Sequence, residues 1–351
     1  MKFIVYTTEN NLIRLCSEKE NSWFKIIMKM KEVVVSTNNG DMYNQQDPFL
    51  QTLHRAGVTI YTGDNDFINQ ISSTNPANVL DDPCAAYLLD ITDESANNIQ
   101  SKYGVICQAH NNNDNILTRK GWTIRTSTVQ EKSWKYFFTD HNCPINSLLI
   151  IDRYFFSSEP NESIEDSFFN LEQILDTLLP PDSPDNVIQV IVIFDFSTFK
   201  HNHDKKLDGS NYTFQVLAER INKIKRKVRR YAYTLELLSI TSNCYKYEDT
   251  HDRHIVGNYF ITEAVHKLKT FTASNDHLCA QTIYFKRLFE EGIDDEDKST
   301  PPVDIQEDIL KCIIECIEHK ANYAYMDYAC NGCVAKDENF EIKNRLLLKN
   351  G

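Results

Sequence analysis

Short apolar runs alternate with amphipathic stretches along the first 110 residues. The runs are rich in β-branched or small apolar residues, as is typical of buried strands. They cover residues 3–6, 33–35, 58–61, 85–90 and 105–108. The stretches Leu12 to Lys31 and Phe49 to Ala56 between them favour helices. This alternation predicts a parallel sheet covered by helices.

Two signals bound the second of these helices. Asp47-Pro48 precedes it, and proline is favoured at the first helical position. Gly57 follows Arg55-Ala56, and glycine is favoured just past a helix C-terminus. We therefore expect the helix to end near Ala56 and the chain to enter a strand at Val58.

Longer apolar runs mark the second half of the chain. Ser147 to Phe156 and Val187 to Phe196 are almost continuously apolar, as in strands that are buried on both faces. A helix around Phe168 to Leu179 separates them and ends at Pro180-Pro181. The further predicted elements are an amphipathic helix over 214–228, a strand over 233–240, two strands flanking Gly257-Asn258, a strand over 281–288 and a helix over 305–319.

Two polar segments divide this α/β chain. An Asn- and Asp-rich run from His110 to Asn115 interrupts the first alternation, and six acids and two prolines lie between Glu290 and Pro302. We predict an N-terminal α/β accessory domain over 1–145, a second α/β domain over 146–290, and an acidic linker with a helical C-terminal tail over 291–351.

Composition narrows the class of protein. The 351 residues are 41% apolar and 25% charged, and they contain no apolar run of 18 residues. The N-terminus becomes polar too early for a signal peptide. The ten cysteines are too sparse for a disulfide scaffold. We therefore expect a cytoplasmic protein with reduced thiols and no integral membrane contact.

A formal charge of −13 excludes a uniformly basic surface, but the charge is unevenly distributed. Residues 200–230 hold ten basic and three acidic residues, which gives +7 locally and leaves −20 for the rest. Such segregation favours a positive face that attracts nucleic acid. The nucleic-acid-binding candidates are Lys223, Arg226, Lys227, Arg229 and Arg230, with Tyr231 and Tyr233 as stacking residues if they are exposed. The alternative is a solvated helix face with both tyrosines in the core.

The segment His251-Asp252-Arg253-His254 carries the strongest chemical signal. In a strand over 251–256, His251 and Arg253 project from the same face. A turn at Gly257-Asn258 would bring the Asn258 amide towards them. An imidazole, a guanidinium and an amide suit a phosphodiester, because the imidazole can attack phosphorus while the other two groups hold the phosphate oxygens.

The spacing H-x-R-x4-N at His251, Arg253 and Asn258 resembles the H-x-K-x4-D signature of the phospholipase D-like superfamily. The order of elements over 147–290 is similar to the phospholipase D-like C-terminal domain of MIT-domain proteins. The resemblance implies metal-independent cleavage of phosphodiesters through a phosphohistidine, by a nuclease or a phosphodiesterase. It assigns His251 as the nucleophile and Arg253 and Asn258 as phosphate ligands, and Glu263 is a candidate to orient His251.

Three departures from that pattern leave an alternative open. Arg253 replaces lysine, Asn258 replaces aspartate, and Val265-His266 replaces the usual Gly-Ser. Active members also combine two motifs, so a single motif implies a homodimer that pairs two copies of His251. The alternative is a catalytically degenerate module that binds phosphate, nucleic acid or a partner protein. Standalone bacterial proteins that resemble this superfamily often serve in defence. By this analogy, the resemblance implies a role in bacterial defence for this chain.

We expect no cofactor, although two groups of residues have spacings that suit a metal ion. Cys312, Cys316, Cys330 and Cys333 have spacings that a structural zinc can use, although cysteines on an apolar helix face are commonly small core residues. Aspartates near N-terminal strand ends suit a Mg²⁺ site of the PIN nuclease type, or serve as ordinary loop and cap residues. They are Asp41, Asp64, Asp66, Asp81, Asp82 and Asp90.

Overall fold

A computed structural model describes this α/β chain as two compact units. The first unit comprises residues 1–119 with 184–186, and the second comprises 120–183 with 187–351. The described residues are 3–36, 48–63, 84–109, 115–129, 133–138, 141–157, 163–195, 214–240, 253–274, 276, 280–290, 300–318, 324–327, 333–336 and 344–348.

The first unit contains a parallel sheet whose strands alternate with helices. Its described elements are β1 (Ile4–Thr8), α1 (Glu9–Ser17), α2 (Ser22–Met30), β2 (Glu32–Ser36), α3 (Pro48–Arg55), β3 (Thr59–Gly63), β4 (Ala85–Leu89), α4 (Asp93–Tyr103) and β5 (Ile106–Ala109). The strand order is β3-β2-β1-β4-β5, with every neighbouring pair parallel. The five apolar runs of the sequence therefore form the five strands, which confirms the predicted alternation.

Local signals in the sequence explain where these helices begin and end. The Thr8 side chain caps α1 by accepting from the Asn11 backbone N–H. Helix α3 begins at Pro48, as predicted. Two residues after its end, Gly57 adopts a φ of +77°, a conformation that glycine tolerates better than other residues. The Gly57 N–H donates to the His54 carbonyl at 3.0 Å, which closes the helix before β3.

The second unit is built on a mixed sheet. Its described elements are β6 (Trp122–Arg125), β7 (Ser147–Ile151), α5 (Ile164–Leu178), β8 (Ile188–Phe194), α6 (Phe214–Val228), β9 (Tyr233–Ser239), β10 (Arg253–Gly257), β11 (Phe260–Ala264), β12 (Thr282–Arg287), α7 (Pro302–Glu318), β13 (Ala324–Asp327), β14 (Cys333–Lys336) and 3-10 helices over Thr126–Thr128, Trp134–Phe138 and Arg345–Leu347. The strand order is β14-β13-β9-β8-β7-β10-β11-β12-β6.

The centre of this sheet consists of the three parallel strands β7, β8 and β9, and β10 lies antiparallel beside β7. All five residues of β7 are buried, as are all of β8 except Gln189. This burial on both faces explains the continuous apolar runs, because no position in these strands faces solvent. Helices α5 and α6 connect the three strands in the order that the sequence predicted.

The boundaries differ from the sequence prediction in three places. The division falls after Arg119 rather than after residue 145, because β6 pairs with β12 and so joins the second sheet. Strand β7 ends at Ile151, and the chain turns over 153–156. The C-terminal tail contains two strands besides α7, because β13 pairs with the outer strand β9 and continues the sheet.

Candidate functional site

Five charged side chains gather where the central strands of the second unit end. Parallel strands present their carboxyl ends at one edge of a sheet, which is where α/β proteins commonly bind ligands. Strand β10 begins at this edge, since His254 pairs with Ile151 and Arg253 therefore lies beside Asp152. We call the five side chains the carboxyl-edge cluster: Asp152, Arg153, Asp195, Arg253 and Lys269.

Asp152 is the buried centre of the carboxyl-edge cluster. Its two carboxylate oxygens accept the backbone N–H groups of Tyr154 and Leu268, each at 2.9 Å. Burial raises the pKa of Asp152, whereas these two donors and the charges of Arg253 and Lys269 favour the carboxylate and oppose that rise. The buried carboxylate thus lies within the electrostatic reach of two cations.

Lys269 is an unusual member of the cluster, because lysine is almost never fully buried. Only 1% of Lys269 is exposed. Its ammonium group donates to the carbonyl of Ser157, in the turn that follows β7. Arg253 is only partly buried, whereas Lys269 is buried, and the charges of both act on Asp152.

The Arg153–Asp195 ion pair links the ends of the two central strands. Arg153 Nε lies 3.2 Å from Asp195 Oδ2, and the Asp195 side chain is fully buried. The Arg153 guanidinium also lies 5.4 Å from the ring centroid of the half-exposed Tyr154. A paired, stacked guanidinium beside Asp152 keeps positive charge at this edge in a fixed orientation.

Only part of the H-x-R-x4-N motif lies within the described residues. His251 and Asp252 lie outside the described residues, whereas Arg253 is the first residue of β10. The predicted strand over 251–256 is therefore described from Arg253 to Gly257. His251 precedes Arg253 by two residues in the chain.

Asn258 lies at the other end of β10 from Arg253, so the structure does not bring these two side chains together. The Asn258 carboxamide oxygen accepts the backbone N–H groups of Asn146 and Ser147, each at 3.0 Å. Its NH₂ group donates to Asn146 Oδ1 at 2.7 Å. Asn258 is fully buried, and these bonds fasten the β10–β11 turn to the start of β7. The expected phosphate ligand therefore has a structural role.

Glu263 faces away from Arg253. It lies opposite His254 in the β10–β11 pair, and opposed residues share one face of a sheet. Arg253, the neighbour of His254, projects from the other face. Glu263 Oε2 instead lies 3.2 Å from the ammonium group of Lys286 on β12. His251 lies outside the described residues, so the role of Glu263 in orienting it stays a prediction.

The basic residues of α6 divide into two sets. Three of them pair with acids of α5: Arg220 with Glu165, Lys227 with Glu172, and Arg229 with Asp176. Arg229 also donates to the carbonyls of Asp176, Leu179 and Pro180. Arg229 therefore anchors the end of α6 to α5 and is not available to nucleic acid, contrary to its assignment from sequence.

The other three candidates, Lys223, Arg226 and Arg230, are exposed. We call them the outward set. The part of the chain that the structure describes holds no acid within ion-pair distance of them. They retain the assignment as candidate nucleic-acid ligands.

The two tyrosines after α6 are not exposed for stacking on bases. Tyr231 is half-buried and its hydroxyl donates to the Pro180 carbonyl at 2.7 Å. Tyr233 is 1% exposed and its hydroxyl donates to the Lys225 carbonyl. Burial raises the pKa of both hydroxyls. The alternative interpretation of these residues, as core, is the one that the structure supports.

The C-terminal end of α6 and the carboxyl-edge cluster lie at opposite ends of the sheet. Helix α6 runs from the carboxyl end of β8 to the amino end of β9, where Tyr233 begins the strand. Arg229 reaches Pro180, which lies on the path from α5 to the start of β8. The predicted nucleic-acid ligands therefore do not adjoin Arg253, and roughly 20 Å of strand separates the two ends.

Within the described residues, no group of three or more His, Cys, Asp or Glu side chains is placed to hold a metal ion. Cys316 is buried on α7 and Cys312 is partly buried there. Cys333 begins β14, and Cys330 lies outside the described residues. Of the six N-terminal aspartates, Asp90 is described, and it accepts from the Thr8 hydroxyl at 2.8 Å at the end of β1. The other five, Asp41, Asp64, Asp66, Asp81 and Asp82, lie outside the described residues.

The sequence drew attention to Arg253 but not to Asp152, Asp195 or Lys269 as site residues. Two of these carry a recognisable signal, because Asp152 and Asp195 each follow a continuously apolar strand and so reach the ligand-binding edge. Lys269 has no such signal, since it lies in a polar stretch after β11 that is not a regular element.

Comparison of the chain with protein-family models, with curated proteins and with solved structures gives no match. Among the described helices, none has the length and apolarity needed to cross a membrane.

Proposed function

We propose that the second unit binds a phosphodiester at the carboxyl-edge cluster and cleaves it without a metal, as a phospholipase D-like nuclease or phosphodiesterase. The observation that carries the proposal is Arg253. This residue of the H-x-R-x4-N motif borders the surface beside the buried carboxylate of Asp152, at the sheet edge where α/β proteins bind ligands. Lys269 adds a second, buried cation near Asp152.

The proposed reaction has two displacements at phosphorus. The His251 imidazole attacks, a nitrogen–phosphorus bond forms, and the bond from phosphorus to the leaving oxygen breaks. The leaving oxygen takes a proton from His251 of a second copy of the chain. Water then attacks phosphorus, returns a proton to that second imidazole and releases the first one. Arg253 stabilises the negative charge on the phosphate oxygens in both steps.

A second candidate function is binding without catalysis. Two of the four predicted catalytic residues are engaged elsewhere, because Asn258 fastens the β10–β11 turn and Glu263 faces Lys286. A module that retained Arg253 and Lys269 would still bind a phosphate. This candidate shares the anion site and differs only in what His251 does.

Turnover of bis(4-nitrophenyl) phosphate in excess EDTA tests the proposal. We expect hydrolysis by the full chain, a loss of at least about 100-fold in kcat for His251→Ala, and a similar loss for Arg253→Ala with partial recovery for Arg253→Lys. Val187→Ala, an exposed substitution directly before β8 at the opposite, amino end of the sheet, serves as the control and should leave turnover unchanged.

Two results would count against catalysis. Turnover that requires Mg²⁺ points instead to the N-terminal aspartates. The absence of turnover together with binding of inorganic phosphate that Arg253→Ala abolishes identifies the binding module. Absence of both overturns the proposed site.

A further inference from the structure

The outward set forms a stripe along one side of α6. Lys223 and Arg226 are three positions apart and share one face of α6, and Arg230 follows two residues after the helix ends at Val228. Their neighbours Arg220, Lys227 and Arg229 are held by acids of α5. Of the seven basic residues from Arg220 to Arg230, three therefore pair with α5, and the outward set is exposed.

The stripe is polar throughout. The apolar residues of α6 for which burial is described, Leu217, Ile221, Ile224 and Val228, are all buried. A helix that binds a membrane surface exposes apolar side chains that enter the bilayer, which this face does not offer. A row of cations without apolar neighbours instead suits the evenly charged backbone of a nucleic acid.

Arg226 and Arg230, at the end of α6, lie near the amino end of the sheet, whereas the carboxyl-edge cluster lies at the other end. A ligand that touches both must span roughly 20 Å, the length of a seven-residue strand. At about 3.4 Å per base pair, this distance corresponds to about six base pairs of duplex. A small phosphodiester reaches one end only.

We infer that the outward set binds the phosphate backbone of a nucleic acid at a second site, separate from the carboxyl-edge cluster, and that the substrate is therefore a polymer long enough to reach both. The inference rests on the proposed function for the binding and cleavage of the phosphodiester at the carboxyl-edge cluster. The binding at α6 does not depend on turnover.

The test compares two triple variants of the full chain. The first is Lys223→Glu, Arg226→Glu and Arg230→Glu. The control is Lys19→Glu, Arg55→Glu and Lys311→Glu, which reverses three exposed, scattered cations and changes the net charge by the same amount. Fluorescence anisotropy measures binding to a labelled duplex and to a labelled single strand, each of about 30 residues per strand, over a range of salt concentrations.

For the first variant we expect affinity for the long duplex or the single strand to fall at least about tenfold, and the slope of log K against log salt to decrease by about 2 to 3. The control variant should bind within about twofold of the parent. A duplex of about four base pairs cannot reach both ends, so it should bind the parent more weakly than the long duplex does. Turnover of bis(4-nitrophenyl) phosphate should be unchanged in both variants.

Unchanged affinity of the first variant for both long nucleic acids, or an equal loss in the control, overturns the inference. Binding of the parent to phosphatidylserine vesicles that the first variant loses, without binding to nucleic acid, also overturns it and identifies a membrane surface. If the first variant loses nucleic-acid affinity as expected but the parent shows no diester turnover, the α6 site is supported and the proposed catalysis is not. The two proposals can therefore fail separately.

Discussion

Individual side chains in this protein serve different roles from those that the sequence motif suggests. Asn258 and Arg253 both belong to H-x-R-x4-N, but the intervening strand separates them. The Asn258 amide satisfies two buried backbone N–H groups, which no apolar side chain can replace. The structural role predicts that substitution of Asn258 lowers the stability of the protein, whereas the motif predicts that it weakens phosphate binding.

Replacing Asn258 with alanine should destabilise the second unit. The substitution leaves the N–H groups of Asn146 and Ser147 buried without their acceptor, at a cost of about 1–3 kcal/mol each. We expect the urea midpoint to fall accordingly. Inorganic phosphate affinity of the chain that remains folded should stay within about twofold. Unchanged stability with lost phosphate binding would restore Asn258 to the site.

His141 is a second residue whose environment determines its chemistry. Its ring lies 4.6 Å from the ring centroid of Phe260 and 5.6 Å from that of Phe285. Neither ring nitrogen has a hydrogen-bond partner in the described part of the chain. Burial, and the charge of Arg287 on β12, lower the pKa of His141 from 6.5 to about 3.

This lowered pKa predicts that stability decreases in acid. Below pH 6.5 the unfolded chain binds a proton at His141 that the folded chain does not take up until about pH 3. The free energy of unfolding should therefore fall by about 1.4 kcal/mol per pH unit, or roughly 2 kcal/mol by pH 5. Thermal unfolding between pH 7 and pH 5 measures this effect. His141→Phe should flatten the dependence, and the same change at exposed His266 should not.

At the scale of elements, helices α5 and α6 are joined by charge as well as by apolar packing. Arg229 illustrates this, since it combines an ion pair to Asp176 with hydrogen bonds to backbone carbonyls after α5. Only 13% of its side chain is exposed. Arg226, one turn earlier, is exposed. Two arginines in one basic run therefore have different energetic roles.

Alanine substitution should distinguish these two arginines. Arg229→Ala leaves several carbonyls and one carboxylate without their donor, so we expect a loss of about 2–3 kcal/mol in the free energy of unfolding. Arg226→Ala should change it by less than about 0.5 kcal/mol. Chemical denaturation of the two variants provides the comparison. Equal effects of the two substitutions would contradict the division of α6 into paired and outward cations.

At the scale of the whole molecule, the proposed reaction requires two chains. One H-x-R motif supplies one imidazole, whereas the two displacements require a nucleophile and a proton donor. A two-fold axis through the site would supply both groups, because symmetry places the same residue on each side. This proposal makes activity depend on how chains are paired.

Mixing wild-type chain with His251→Ala chain tests this dependence. After exchange of equal amounts, only about one quarter of randomly formed dimers contain two wild-type chains. We therefore expect turnover per total chain to be about one quarter of that of the pure enzyme. A chain that works alone would retain about one half. Sedimentation of the same mixture checks that the dimers form.

The sequence by itself determined the α/β class, the five strands of the first unit, the central strands of the second and the end of α3, because hydrophobic periodicity, proline and glycine act over a few residues. It also identified Arg253. It did not indicate β6, β13 or β14. Tertiary structure alone decided that Arg253 lies beside Asp152, that Asp195 pairs with Arg153 and that Lys269 is buried nearby. It also decided that Asn258 and Glu263 lie away from Arg253. Tertiary structure also decided that Arg229 pairs with Asp176 on α5, whereas the outward set is exposed. These outcomes depend on strand order, register and packing between distant segments, which no local pattern encodes.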